Sequence, residues 1–174
     1  MTHGARPVDS GSPDVAARLA RGLLDDVPPE AMQEGMRLPL HDYLGIELTG
    51  LRPAAVEVAL TDRTRSLASP LHGGVVATLV DVVAGVAAAT SGAVDITRYG
   101  LVTARLDIDY RAQPKGDTVR AEAEISEVEH RTVRADCAVT DSGGRNLATA
   151  GVRLRLLPGG GFSPAGSSDE AGET

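Results

Sequence analysis

Aromatic residues are nearly absent from this chain of 174 residues, which has three Tyr, one Phe and no Trp. Binding of single-stranded nucleic acid by base stacking needs aromatic platforms that are missing here. Excess positive charge is missing as well. The formal net charge is −7 and the sequence pI is near 5.0, so nothing steers the protein towards DNA, RNA or anionic lipid. A single cysteine, Cys137, excludes an internal disulfide framework and fits a reducing compartment. It alternates with Val133, Ala135 and Val139, which points to core packing rather than a nucleophile. The first residues, Met1-Thr2-His3-Gly4, lack a basic stretch followed by an apolar one, so no signal peptide is expected and a cytoplasmic location is. His3, His41 and His130 are scattered without ligand spacing, so no metal site is expected.

What the chain does hold is one domain's worth of sequence between two weakly patterned ends. Residues 1–37 read as an extension: a Gly/Ser/Pro-rich start expected to be disordered, then short helical pieces over 14–24 and 30–36, divided by Pro28-Pro29. The tail, 158–174, is rich in Gly and Ser and has no driving force to fold. Between them, 38–157 mixes two periodicities. Residues 55–60 alternate like a strand, and a helix is expected over 74–91, with glycines at its start and Gly92 at its end. Four strand candidates follow, with apolar sets at 102, 104, 106, 108 and 110, at 119, 121, 123 and 125, at 133, 135, 137 and 139, and at 148, 150, 152, 154 and 156. Pro114-Lys115-Gly116-Asp117 and Asp141-Ser142-Gly143-Gly144 punctuate them. One-sided strands at meander spacing need a cover, and the only long apolar element is the helix. The expected architecture is therefore α+β, an antiparallel sheet curled around one central helix. The apolar run is long enough to suggest a membrane span, but it is rich in Ala and Gly, carries Asp81 at its middle and has no basic or aromatic flanks.

Chemistry concentrates in that helix. Between Arg65 and Asp95 only His72 and Asp81 ionise, nine positions apart. A lone carboxylate in so apolar a run is costly to bury and is more often a site than core filler. Nine helical residues rise about 13–14 Å, so the two cannot meet within one straight helix. A two-fold dimer is expected, in which the Gly73 end of one helix faces Asp81 of the other. The helix start offers N–H groups without internal partners and a partial positive charge. Gly73 and Gly74 let a ligand oxygen approach the backbone closely. This is an oxyanion hole in outline, with a carboxylate across from it to attack a carbonyl or activate a water.

The pattern His72-Gly73-Gly74-x-x-x-x-Leu79-x-Asp81-x-x-x-Gly85 resembles the HGG motif of PaaI-type hotdog-fold acyl-CoA thioesterases. The likeness extends to Leu44-Gly45-Ile46-Glu47-Leu48 as the opening strand, to Leu106-x-Ile108-x-Tyr110 followed by Pro114-x-Gly116-Asp117, and to a closing hairpin over 141–151. The resemblance implies a hotdog fold, a strand-paired homodimer or homotetramer, an acyl-CoA substrate hydrolysed at its thioester, and no cofactor. It implies Asp81 as general base or nucleophile, Gly73 as the N–H that polarises the carbonyl, and His72 as the residue shaping the turn. Thr103 falls where a Ser or Thr helps the carboxylate, although strict alternation puts it opposite its strand's apolar set. Arg131 falls where a basic residue meets CoA phosphates, and Gly74, beside Gly73 at the helix start, is a further substrate-binding position. Ser66 stands where the family usually has Asn to orient water, which is a departure. Two other readings stay open: a hydratase or dehydratase of acyl thioesters, and an acyl-CoA binder without turnover.

Overall fold

The computed structural model describes residues 38–96 and 98–159. The expected disordered start, the short helices before residue 37 and nearly all of the tail lie outside the described residues. The order is α1 (Pro39–Leu44), β1 (Glu47–Leu51), β2 (Ala54–Ala59), α2 (Gly73–Thr90), β3 (Tyr99–Tyr110), β4 (Thr118–Glu129), β5 (Thr132–Asp141) and β6 (Asn146–Pro158). The expected opening strand is corrected at its start. Pro39 opens a short helix, Leu44 ends it, and Gly45 closes it with a left-handed φ of 72° before β1 begins at Glu47. Proline in the first turn and glycine just past the end are the usual marks of such a helix.

All six strands join one antiparallel sheet in the order β1-β2-β4-β5-β6-β3. The sheet wraps α2, which makes this a hotdog fold. Leu79, Val80 and Val83 of α2 are fully buried against Val119, Val133, Val139 and Leu154 of the sheet. Each such side chain contributes about 1.5–3 kcal/mol on leaving water. That burial outweighs the modest helix propensity of a Val-rich segment. At the far end of α2, Arg52 Nε donates to the Thr90 carbonyl at 3.1 Å, and the Thr90 hydroxyl reaches Leu51 O at 3.1 Å. These bonds tie the negative end of the helix to the β1–β2 turn. By length and composition α2 would span a membrane, yet more than half of it packs inside the protein.

Strand β3 departs from simple alternation. Thr103 lies opposite Leu154 and Arg105 opposite Arg153, which leaves Ala104 without a partner in a β-bulge. The extra residue switches the parity of the strand. Tyr99, Leu101 and Thr103 therefore share the inner face with Leu106, Ile108 and Tyr110, since these residues oppose Pro158, Leu156, Leu154, Val152, Ala150 and Ala148 in turn. The expected set containing residues 102 and 104 is corrected accordingly, and Thr103 moves to the helix side. Among the described residues β3 also forms one border of the sheet, paired only with β6.

Candidate active site

The loop before α2 is built from short hydroxyl turns. Thr64 is fully buried; its Oγ1 accepts from the Thr61 N–H at 2.9 Å and donates to the Thr61 carbonyl at 3.0 Å. The His72 N–H in turn donates to Thr64 O at 2.7 Å, which fixes the entry to the helix. The Ser69 hydroxyl lies 2.8 Å from Leu71 O and also reaches Gln113 in the β3–β4 connection. Ser66, the expected water holder, is occupied locally: its N–H donates to Ser69 O at 3.0 Å and its hydroxyl sits 3.5 Å from the same carbonyl.

His72 is the N-cap of α2, with extended backbone (φ −76°, ψ 133°) and its Nδ1 accepting from the Gly74 N–H at 2.8 Å. The imidazole therefore caps through an unprotonated Nδ1. Its carbonyl accepts from Val75 and Val76 at 2.9 and 3.4 Å. Of the first N–H groups in the helix, only that of Gly73 makes no hydrogen bond among the described residues. An open N–H at a helix start, beside a backbone with no side chain, is suited to an oxygen that gains negative charge.

Asp81 lies two turns further along, about 12 Å up the helix axis. Asp81 is not the buried carboxylate expected from its apolar surroundings, since the single chain leaves it partly exposed. It belongs to the stripe of α2 least covered by the sheet, with Gly74, Thr78, Gly85 and Ala89. Its Oδ1 accepts a hydrogen bond from the Thr103 hydroxyl. The bulge at Ala104 is what brings that hydroxyl to the helix side. A carboxylate bonded on one oxygen keeps the other free to take a proton or attack a carbon.

Tyr110, which the sequence places in a strand and in the family-like segment but gives no site role, joins the site. Its hydroxyl donates to the Gly73 carbonyl at 2.9 Å, and its ring and hydroxyl lie 3.5–3.6 Å from where a Cβ on residue 73 would stand. With Leu71, Gly73, Val76, Gln113 and Leu147 it borders a cleft of about 280 Å³. Arg131 stands apart in the β4–β5 turn, exposed, and shares no hydrogen bond or ion pair with the other candidates. Among the described residues no three His, Cys, Asp or Glu side chains are grouped to hold a metal.

A family model for the thioesterase superfamily matches residues 70–148, the stretch from the loop before α2 to the start of β6. The matched stretch holds His72, Gly73, Gly74, Asp81, Thr103 and Tyr110 together. Among solved structures, the chain is similar to a thioesterase from Haemophilus influenzae (TM-score 0.68, 13% identity, 75% of this chain and 91% of the other). It is similar also to a mutant thioesterase from Pseudomonas aeruginosa (TM-score 0.69, 18% identity, 76% and 96%). A thioesterase family protein from Silicibacter pomeroyi gives a TM-score of 0.65 at 19% identity over 83% and 99%. At these identities the likeness is one of fold. No curated protein sequence matches the chain.

Proposed function

We propose that this chain is a member of the thioesterase superfamily, a PaaI-type acyl-CoA thioester hydrolase acting as a homodimer or as a tetramer built of such dimers. In this reading the thioester carbonyl lies against the Gly73 N–H, and Asp81 of the partner subunit drives attack on it. As a general base Asp81 takes a proton from water, and the hydroxide adds to the carbonyl carbon. The tetrahedral oxyanion is held at Gly73, and its collapse breaks the C–S bond. CoA leaves as the thiol after taking up the proton, and the free acid is the other product.

The observation that carries the reading is the unshared Gly73 N–H beside a Gly74 N–H already taken by His72. Only one donor is left to aim at a substrate oxygen. The dimer follows from distance: Gly73 and Asp81 of one chain stand too far apart along α2 to grip one carbonyl. The outer border of β3, a strand of twelve residues with no second strand partner among the described residues, offers the edge for a second copy. His72 is engaged as a cap, which disfavours a hydratase that needs a catalytic histidine beside the carboxylate.

The test is thiol release from a panel of short, medium, long and aromatic acyl-CoAs, with Asp81→Asn alongside. Turnover is expected, and the variant should lose about 10²–10⁴-fold in kcat while keeping its oligomeric state. Thiol release by Asp81→Asn at the wild-type rate removes Asp81 from the mechanism. Tight CoA-ester binding without turnover makes the protein a binder.

A further inference from the structure

Two successive glycines at a helix start have wide backbone freedom, so something must fix the direction in which the Gly73 N–H points. The peptide unit between Gly73 and Gly74 has one carbonyl and one N–H, and beyond the helix's own backbone ladder a side chain reaches each of them. His72 Nδ1 accepts the N–H at 2.8 Å, and the Tyr110 hydroxyl donates to the carbonyl at 2.9 Å. The preceding unit is pinned at the His72 carbonyl by Val75 and Val76. What remains free is the Gly73 N–H alone.

We propose that Tyr110 is a positioning residue for the oxyanion donor: its hydroxyl, opposite the His72 imidazole, clamps the Gly73–Gly74 peptide and so aims the Gly73 N–H at the thioester carbonyl. The inference rests on the thioesterase reading. It reaches further by assigning a role to a residue on another element, thirty-seven positions away, that touches no reacting atom. The contact is complete within one chain, so it does not wait on the partner subunit. The ring and the hydroxyl have separable duties. The ring borders the cleft beside Gly73, and the hydroxyl, not the ring, bonds to the backbone.

Removing only the hydroxyl therefore separates positioning from binding. In Tyr110→Phe, kcat should fall about tenfold while KM stays within about twofold, because the lost alignment matters most as charge develops on the carbonyl oxygen. A rise in KM with kcat unchanged would make Tyr110 a pocket wall only and overturn the proposal, as would unchanged kinetics. The opposite jaw gives a second measurement that does not depend on how Tyr110→Phe folds. His72→Ala should lower kcat, and His72→Asn, whose side chain also caps helices, should recover most of it. Equal losses in the two variants contradict a clamp. The His72→Ala and Tyr110→Phe effects should also combine to less than their product, since both act on one peptide. Failure of the underlying reading looks different: wild type then releases no thiol, or releases it independently of Asp81. If release depends on Asp81 and Tyr110→Phe is silent, the clamp alone is wrong.

Discussion

The Thr103 hydroxyl on β3 donates its proton to Asp81 Oδ1 on α2, so a strand side chain sets the orientation of the helix carboxylate. A hydrogen bond to a charged group is worth about 1.5–3 kcal/mol. If that energy serves to hold Asp81 for attack, Thr103→Val should reduce kcat about ten- to a hundredfold. Thr103→Ser should restore most of it, since serine keeps the donor. Steady-state kinetics on the best substrate of the panel decide the matter. Equal rates for Val and Thr would show that Asp81 needs no help in orientation.

The bulge behind that contact makes an unusual prediction about deletion. With Ala104 unpaired, Thr103 opposes Leu154 and Arg105 opposes Arg153, which are themselves consecutive in β6. Removing Ala104 should therefore leave an unbroken ladder in which Thr103 still faces the helix. The deletion variant is expected to fold and to retain turnover that depends on Asp81. A strand without a bulge behaves in the opposite way, because losing one residue would turn Tyr99, Leu101 and Thr103 outward. Loss of activity as deep as that of Thr103→Val would show the second behaviour.

The same bulge marks where the sequence is readable and where it is not. Over 119–125, 133–139 and 148–156 the strands β4, β5 and β6 alternate without a break, and residues such as Val119, Val133 and Leu154 occupy the inner face that their parity predicts. α2 begins within one residue of its expected start, because the Gly-Gly step and the apolar run bracket it. β3 defeats parity because Ala104 is small enough to suit either face. α1 has no counterpart in the sequence reading, and only its last residue, Leu44, falls in the stretch that resembles the family's opening strand. Yet Pro39 and Gly45 carry the helical signal on either side of it. His72, Gly73 and Asp81 stand out by spacing alone. The Tyr110 contact with Gly73 and the Ser69 contact with Gln113 join residues far apart in sequence, and no local pattern encodes them.

Cys137 should be inert in the folded protein. It is buried in the sheet's inner face, and burial, followed by the nearby Asp136 charge, pushes its thiol up to about 12. At pH 8 only about one molecule in ten thousand then carries the reactive thiolate, against roughly a quarter for an unperturbed cysteine. A thiol reagent should label the denatured chain and leave the native one almost untouched over the same interval. Rapid labelling of native protein would mean that the strand opens readily or that Cys137 is exposed.

Asp141 gives the stability of the fold a defined acid limb. Its carboxylate, almost fully buried at the end of β5, accepts from the Lys115 N–H at 2.9 Å, the Arg145 N–H at 2.9 Å and the Gly143 N–H at 3.0 Å. These bonds close the β5–β6 hairpin and fasten the 114–117 turn to it. The Lys115 N–H first, and then that of Arg145, hold the carboxyl below its ordinary range. A depressed folded value means that the charged form favours the native state. The contribution is complete above the unfolded value of about 3.9 and disappears as pH falls through the lower folded value. Asp141→Asn cannot accept all three bonds, so it should be less stable than wild type near neutrality. The gap between their denaturant midpoints should narrow steadily below about pH 4. A gap that stays constant into acid would show that the side chain's shape, rather than its charge, holds the turn.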